Sequence, residues 1–400
     1  MHVIALAIPF FFLALGLEMA VARAMGRRYH RYADSLTDLS CGIGDQVLDV
    51  LCRTAILGIY AATYDRFAIQ RLDPGSWTTW AIAIVAVDFT YYWFHRFSHR
   101  VNFAWATHVV HHQSEEYNLA VALRQSWLAK TYHWAFDLPV AMLGVPPAVY
   151  ATSYAINLLY QFWIHTRTIG TLGPFEWVFN TPSHHRVHHG RDAKYLDKNY
   201  AGILIVWDRL FGTFKREEEE PSFGTVAAFR STNPLWANLE TWARLGREAR
   251  DARRLSDRLA VWFMPPEWHP AGILPEQGHP PRMPDTATGL RAYVDLHFVL
   301  LAIGTMLLML REEAPLAARA AAAAAILATI VIWGGLLEAR RWAVPLEMAR
   351  LHCMAIGSVM LIFARPDARV AAAAAGLVLL ASAAWLFQLS RTPALQPRQA

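Results

Sequence analysis

Three histidine clusters stand out in this chain: His95-Arg-Phe-Ser-His99, His108-Val-Val-His111-His112 and His184-His185-Arg-Val-His188-His189. Histidines spaced by three and four residues share one face of a helix, so each cluster predicts a helix with one face of imidazoles. Of the 17 histidines in the chain, 11 lie between residues 95 and 189. Because neutral imidazole is the commonest metal ligand in proteins, this concentration predicts a metal site.

The composition around the clusters is that of a membrane protein. The chain has 400 residues, of which 55% are hydrophobic, and its net charge is only +5. Its arginines lie mainly at the ends of apolar stretches, where they act as topology signals, so we expect no nucleic-acid partner. Cys41, Cys52 and Cys353 are scattered and form no CxxC pair, which argues against disulfides and thiolate metal sites.

The apolar stretches predict an all-α, polytopic membrane protein with a cytoplasmic, histidine-rich di-metal cap. A membrane-spanning helix needs ~20 apolar residues. We expect spans near 3–22, 43–63, 77–94, 291–310, 317–337, 343–364 and 369–389. Residues 134–164 form a further apolar pair, broken by Pro139, Gly144 and Pro146. That pair is either a hairpin or a re-entrant unit buried in protein.

Basic residues near the span ends give the orientation. Arg23, Arg27, Arg28 and Arg31 place the end of the first span in the cytoplasm. Counting spans forward, with 134–164 as a hairpin, places every histidine cluster on that same face. We therefore expect N-terminal membrane spans over 1–75, a catalytic domain over 76–289, C-terminal spans over 290–390 and a tail over 391–400. Frequent alanine and arginine suggest a bacterial inner membrane.

The number of histidines implies two metal ions, because one ion takes four to six ligands. An imidazole-rich centre of five or six ligands suits iron and dioxygen better than a structural zinc site, although zinc can replace iron during purification. His165, at the end of the broken pair, should lie at the depth of His95 and is a further expected ligand. His184 is expected as a ligand or as a group that orients one. Asp88 is the first candidate for a carboxylate that orients an imidazole, and Asp192 and Asp197 are weaker candidates.

Polar residues beside the clusters have two interpretations. The run after His112 is either a solvated loop or a cofactor or headgroup site, and the cofactor-binding candidates are Glu116, Tyr117, Asn118, Arg124 and Gln125. Arg124 would face an anionic group. Asp208 and Arg209 suggest an internal ion pair. Residues 235–259 predict an amphipathic helix that lies on the membrane surface or packs on the catalytic domain.

The three clusters resemble the motifs of the fatty acid hydroxylase and sterol desaturase superfamily, which consists of integral-membrane, non-haem di-iron enzymes. The resemblance implies that the catalytic metal ligands are His95, His99, His108, His111, His112, His185, His188 and His189. His165 matches an extra histidine that lies between the second and third clusters of the superfamily. The likeness is densest over residues 80–215.

Within the superfamily, residues 111–126, 180–190 and 197–214 resemble the alkylglycerol monooxygenase family, the glyceryl-ether monooxygenases. This likeness implies O₂-dependent hydroxylation next to an ether oxygen, which gives a fatty aldehyde and a glycerol derivative. It also implies two iron ions, a lipid substrate from the bilayer and an electron donor that the sequence does not identify.

One residue departs from the pattern of the animal ether monooxygenases. They carry an acidic residue directly after the second histidine of the first cluster, and this acid has been linked to tetrahydropterin use. This chain has Arg100 at that position. The resemblance therefore implies the di-iron centre but leaves tetrahydrobiopterin in doubt as a cofactor.

Three other functions compete with this interpretation. A fatty acid or sterol hydroxylase or desaturase of the same superfamily would carry the same clusters. A metal-binding membrane transporter or sensor would place its polar residues at mid-bilayer, within discontinuous helices. A b-type haem protein would need facing axial pairs of histidines instead of triplets.

Overall fold

Helices account for the regular structure of the computed structural model, which describes residues 3–227, 229–273, 285–311, 313–392 and 395. In these residues the only strand-like pairing is one antiparallel bridge between Phe179 and Leu204, so the all-α prediction is confirmed. The α-helices are α1 (Val3–Ala24), α2 (Tyr32–Phe67), α3 (Trp77–Arg100), α4 (Asn102–His112), α5 (Lys130–Met142), α6 (Pro147–Trp163), α7 (Pro182–His188), α8 (Val206–Leu210), α9 (Pro234–Asp251), α10 (Leu255–Phe263), α11 (Thr288–Leu310), α12 (Leu316–Leu337), α13 (Ala343–Ala364) and α14 (Arg369–Ser390). Most of the predicted tail, 391–400, lies outside the described residues.

Six of the described helices are long and apolar enough to cross a membrane: α1, α2, α11, α12, α13 and α14. The prediction of a multi-pass membrane protein is therefore confirmed. The predicted span at 77–94 lies in α3, which is 24 residues long but less apolar, because it carries Asp88 and many aromatic residues. Helices α5 and α6 have 13 and 17 residues, and neither is among the six.

The turn between α5 and α6 shows how the broken apolar pair folds. Met142 and Gly144 accept hydrogen bonds from Ile69 and Leu72, which lie between α2 and α3. Gly144 has a φ of 91°, and a Cβ there would lie 1.8 Å from the Gln70 carbonyl oxygen, so only glycine fits. The two turns therefore lie at the same end of the molecule, which favours the hairpin over the re-entrant unit.

Packing within the α2, α3, α5 and α6 bundle fixes the hairpin. The Tyr60 hydroxyl donates to the Val145 carbonyl, and its ring stacks on Tyr150 with 4.0 Å between ring centroids. Because α3 and α6 both begin beside the two turns and run away from them, both end at the opposite side of the bundle. His95 and His165 are thereby brought to the same level.

The C-terminal helices α11 to α14 form a second bundle, which packs on α2. Glu347 is fully buried in it and accepts hydrogen bonds from Tyr293 and Arg350, with Trp333 Nε1 at 3.4 Å. A buried carboxylate with these partners links three helices of the bundle. The predicted domain boundaries at 75/76 and 289/290 stay predictions.

Helices α9 and α10 cover the outer side of α4. Leu245 of α9 and Val261 of α10 are fully buried and form one apolar cluster with Ala106 of α4. The predicted amphipathic helix is thus two helices, with a break at Ala252, and its inner face packs on the catalytic domain.

Candidate metal centre

Two helix junctions bring the three histidine clusters together. Val101 separates α3 from α4, so the histidines of the first two clusters lie on either side of one tight turn. Pro182 occupies the first turn of α7, where its missing N–H costs nothing, and starts the helix that carries the third cluster. His165 follows the end of α6. All of these histidines are buried.

Nine imidazoles form two groups whose potential ligand atoms lie within 4.8 Å of one another in each group. The five-histidine group consists of His95, His99, His108, His112 and His188. The four-histidine group consists of His111, His165, His185 and His189. The groups adjoin, since the rings of His112 and His189 stack with centroids 4.4 Å apart.

Hydrogen bonds at Nδ1 determine which nitrogen of several rings is free to bind a metal. His111 Nδ1 lies 3.1 Å from the Arg124 carbonyl oxygen, and His165 Nδ1 lies 2.7 Å from that of Gln161. A carbonyl only accepts, so Nδ1 is the protonated nitrogen in both neutral rings and each Nε2 carries a bare lone pair. Those two Nε2 atoms face each other at 3.1 Å. Two lone pairs cannot hydrogen-bond, so this pair fits a cation.

The five-histidine group shows the same arrangement. His95 and His188 donate from Nδ1 to the carbonyls of Tyr200 and Lys198, at 2.7 and 2.9 Å. Among the described residues, Nε2 of His99 and of His188 is buried without a hydrogen-bond partner, and so is Nε2 of His189 in the adjoining four-histidine group. Buried polar atoms normally have hydrogen-bond partners, so these bare Nε2 atoms are suited to bind a metal ion. The hydrogen bonds from Nδ1 to backbone carbonyls hold the rings in the orientation that metal binding requires. The donor set therefore fits two metal ions held by imidazole alone.

Burial keeps these imidazoles neutral at physiological pH. Loss of solvation lowers the pKa of His111 to about 4 and lowers the pKa of His108, His112 and His185 well below the usual value. Neighbouring imidazoles lower these values further, because two adjacent rings cannot both carry charge. Neutral rings keep the lone pair that a metal ion needs.

His184 is the expected ligand that the structure does not bring into either group. Its Nε2 lies 4.0 Å from the Glu176 carboxylate, and its ring meets Phe214 edge to face. It begins the third cluster at a position where α7 turns its side chain away from the other imidazoles. The geometry therefore places His184 outside both groups of potential metal ligands.

The expected cofactor-binding residues have partners inside the protein. Arg124 is buried and donates to the Val110 carbonyl, to Asp38 at 3.0 Å and to Gln113 at 3.0 Å. Gln125 donates to the Ala122 carbonyl. These contacts support α4 and its loop, so they favour a structural role for both side chains over an anion site.

The remaining candidates in that run also support the fold. The Tyr117 hydroxyl donates to the Ile164 carbonyl, and its ring stacks beside His165 with centroids 5.8 Å apart. Asn118 donates to the Tyr29 carbonyl. Glu116 accepts a hydrogen bond from Ser114 through its backbone oxygen. Tyr117 is therefore the candidate of this run that packs on a metal-site ring.

The segment 197–208 supports the five-histidine group and corrects one expectation. Asp208 accepts hydrogen bonds from the backbone N–H groups of Tyr200 and Ala201, each at 2.8 Å, and from Thr213. Arg209 donates to the Glu176 carbonyl instead. The prediction of an Asp208–Arg209 ion pair is wrong. The Asp208 carboxylate instead fixes the backbone at Tyr200, whose carbonyl accepts from His95 Nδ1.

The three expected orienting carboxylates have different roles. Asp88 accepts from the N–H groups of Ile203 and Leu204, at 2.6 and 2.9 Å, and so fixes the same segment without touching a histidine. Asp197 lies 3.7 Å from His99 Nδ1. Asp192 accepts from the Ser222 N–H at 2.7 Å.

Sequence reasoning missed Glu18, which lies in the apolar helix α1 and is only 3% exposed. Its carboxylate accepts from the Leu119 N–H at 2.9 Å and from the Thr166 hydroxyl, and His30 Nε2 lies 3.1 Å away. Thr166 adjoins His165, so α1 supports the four-histidine group. A carboxylate inside an apolar span is itself a signal of function, and it could have been recognised.

Arg100, the residue that departs from the animal pattern, is held by two acids. It contacts the Asp197 carboxylate and lies 3.1 Å from Glu267. Partial burial opposes the shift, but the interactions with His99 and then with Arg100 hold the pKa of Asp197 down at about 2.

Comparison with known proteins identifies the family. The fatty acid hydroxylase family matches residues 80–213. The chain is 38% identical to alkylglycerol monooxygenase of Xenopus tropicalis over 354 residues, covering 86% of this chain and 79% of that protein. It is 39% identical to the Danio rerio enzyme, covering 79% and 73%, and 41% identical to the Homo sapiens enzyme, covering 66% and 59%. No solved structure matches significantly. The chain therefore belongs to the alkylglycerol monooxygenase family and is a membrane oxidoreductase of the monooxygenase class.

Proposed function

We propose that this protein is a di-iron, O₂-dependent monooxygenase that hydroxylates the alkyl chain of an alkylglycerol on the carbon next to the ether oxygen. The observation that carries the proposal is the convergence of nine buried imidazoles into two adjacent groups. It occurs in a chain 38% identical to an alkylglycerol monooxygenase over 86% of its length.

Each group would hold one iron ion, and the ligands would be the nine histidines of the five- and four-histidine groups. Imidazole-rich sites suit iron, and the described residues of both groups include no thiolate or carboxylate. Bound iron would supply the activation of dioxygen that oxidation of the C–H bond next to the ether oxygen requires. Zinc could replace iron during purification.

The protein itself would orient the imidazole ligands and exclude water from the site. Backbone carbonyls of Tyr200, Lys198, Arg124 and Gln161 fix the imidazole planes through Nδ1. The Trp105 ring lies 5.0 Å from that of His99, at the edge of the five-histidine group. A dry and rigid site limits side reactions and holds the substrate carbon in place.

The overall reaction balances with one reductant. One oxygen atom of O₂ enters the C–H bond next to the ether oxygen, and the other leaves as water with two protons and two electrons from the donor. The resulting hemiacetal collapses to a fatty aldehyde and a glycerol derivative. The two electrons come from a donor for which tetrahydrobiopterin stays one candidate, in doubt because Arg100 stands where the animal enzymes carry an acid.

The lipid would enter from the bilayer, with its tail between helices and its headgroup near the metal centre. We propose that the centre faces the cytoplasm in a bacterial inner membrane. The arginines that follow α1 support this orientation, since positively charged residues accumulate on the cytoplasmic side.

The test uses membranes that contain the full-length protein. They are incubated with a 1-O-alkylglycerol under oxygen, with and without added tetrahydrobiopterin, and fatty aldehyde is measured. Wild-type membranes should form aldehyde, whereas His188→Ala membranes and anaerobic samples should not. A 1-acylglycerol serves as the matched ester control, because it lacks the ether.

Two outcomes would contradict the proposal. Hydroxylation of an acyl chain or a sterol without ether cleavage would move the enzyme elsewhere in the superfamily. Transport of a metal ion without oxygen consumption would support a transporter or sensor.

A further inference from the structure

Helix α10 carries an apolar stripe on its outer side. Leu255, Leu259 and Phe263 are spaced by four residues, so they share one helical face, and they are 72%, 62% and 66% exposed. The opposite side of the helix is buried, since Val261 is fully inaccessible and packs on α4 and α9. An exposed apolar stripe opposite a packed side of the same helix is typical of an interaction surface.

The α9–α10 unit is attached at both ends to the ends of other helices at the side where the histidines lie. Before α9, the Thr232 hydroxyl donates to the Gly334 carbonyl, near the end of the membrane helix α12. After α10, the Asn102 N–H donates to the Met264 carbonyl at 3.0 Å, directly after the end of α3. The unit therefore lies across the ends of these helices, where a membrane surface would be.

Aromatic residues connect the stripe to the side of the helix bundle. Phe263 meets Phe103 edge to face with centroids 5.9 Å apart, and Phe103 meets Tyr132 of α5 at 5.7 Å. Tyr132 and Phe97 of α3 then both contact Phe136, one turn further along α5 toward the opposite end of the bundle. The apolar face of α10 is thus continuous with the surface that the bundle would present to lipid.

The charge of this region suits an anionic surface. Residues 244–258 contain six arginines and three acidic residues, a net charge of +3. Arg253, Arg254 and Arg258 are exposed beside the apolar stripe. Helices that lie in a membrane interface combine an apolar face with flanking basic residues, which attract acidic lipid headgroups.

We propose that α10 is an interfacial membrane helix: Leu255, Leu259 and Phe263 insert into the leaflet next to the metal centre, and the adjoining arginines bind its anionic headgroups. The inference assigns a partner to a surface outside the matched hydroxylase domain, residues 80–213. It depends only on membrane insertion of the protein and not on the proposed reaction.

The experiment places an environment-sensitive fluorophore on single cysteines of the full-length protein in lipid nanodiscs. Exposed Cys52 and Cys353 are first replaced by serine. The labelled variants are Leu259→Cys and Phe263→Cys, and Glu219→Cys is the control because that side chain is exposed and paired with Lys194. In nanodiscs containing phosphatidylglycerol, labels at 259 and 263 should emit at shorter wavelength and be quenched by nitroxide lipids. The control label should be quenched by aqueous iodide instead.

Reversing the charge of two arginines tests whether they bind anionic headgroups. Arg253→Glu with Arg254→Glu should reduce quenching of the label at 259 by nitroxide lipids in anionic nanodiscs, and phosphatidylcholine nanodiscs should reduce it similarly. Iodide quenching at 259 and 263 equal to that at 219 would overturn the proposal. So would protection of the two labels that depends on protein concentration in detergent, because a second copy of the chain would then cover the stripe.

Discussion

The two histidine groups of the metal centre are supported by different parts of the molecule. Carbonyls of segment 197–208 hold the five-histidine group, and Asp88 and Asp208 fix that segment from within the matched hydroxylase domain. The four-histidine group depends on Arg124, which binds Asp38 of α2, and on Glu18 of α1. Both of these acids lie before residue 80, where the hydroxylase domain begins.

One half of the centre is therefore built within the hydroxylase domain, whereas the other half needs the N-terminal membrane helices. A metal site is only as rigid as the groups that orient its ligands. The two ions should therefore respond separately to substitutions in the two supports.

The largest effect is expected from losing a ligand in either group. His188→Ala and His111→Ala should each abolish activity and lower the metal content from two ions per chain toward one, since each change removes an Nε2 donor from one group only. Metal analysis of anaerobically purified protein, together with aldehyde formation, provides the measurement.

His184→Ala is the matched control, because His184 lies in the same motif but outside both groups. It should retain both ions. Normal turnover with unchanged metal in His188→Ala would refute the ligand assignment, and metal loss in His184→Ala would restore that residue to the ligand set.

The next largest effect is expected from Arg124→Leu, which leaves the Asp38 carboxylate buried without its cation. Removing one partner of a buried ion pair costs about 3–5 kcal/mol of stability. The unfolding midpoint in detergent should fall, and the ion of the four-histidine group should be lost first because the Arg124 carbonyl orients His111. Arg124→Lys keeps the charge and should lose less. An unchanged midpoint in Arg124→Leu would show that the pair is not a support.

Smaller effects are expected from the carboxylates that hold each support, tested as a pair. Glu18→Gln should weaken the four-histidine site, and Asp208→Asn should weaken the five-histidine site, each by about 10–100-fold in metal affinity. Each substitution replaces an acceptor of backbone N–H groups with a poorer one.

Chelator titration should resolve two phases of metal release, and each variant should accelerate a different phase. The double variant should show the two effects added, as distant independent sites do. If both substitutions accelerate the same phase, the two supports do not act on separate metal ions.

The smallest effect is expected from moderate acid. Burial lowers the pKa of His111 to about 4, below its value in the unfolded chain. The unfolded state therefore binds more protons between pH 6.5 and 4, so the stability of the metal-free protein should be constant above about pH 6.5 and fall as pH decreases toward 4. Unfolding midpoints of chelator-treated protein across this range provide the measurement. A rise in stability on acidification would contradict the buried, neutral state of these imidazoles.

Much of the centre could be predicted from local spacing alone. The intervals within the three clusters set which imidazoles share a helical face, and the apolar stretches set which segments cross the membrane. His165 was an expected ligand because it ends an apolar segment at the depth of His95, and the structure brings it into the four-histidine group.

The supports could not be predicted in the same way, because they join residues far apart in the chain. Glu18 contacts Thr166, which lies 148 residues away. Asp208 and Arg209 are adjacent and of opposite charge, yet their side chains bind different backbone segments. Arg124 has the geometry for an anion, but its guanidinium is used within the protein.

The all-α membrane architecture and the helical faces that carry the histidines follow from local sequence, because helical periodicity and hydropathy act over a few residues. The division of the imidazoles into five and four, and the position of His184 outside both groups, come instead from tertiary contacts. That division depends on the turn at Val101, the hairpin of α5 and α6, and the carbonyls that accept hydrogen bonds from Nδ1 of four of the rings, those of His95, His111, His165 and His188. These are contacts between distant segments, which local periodicity does not encode.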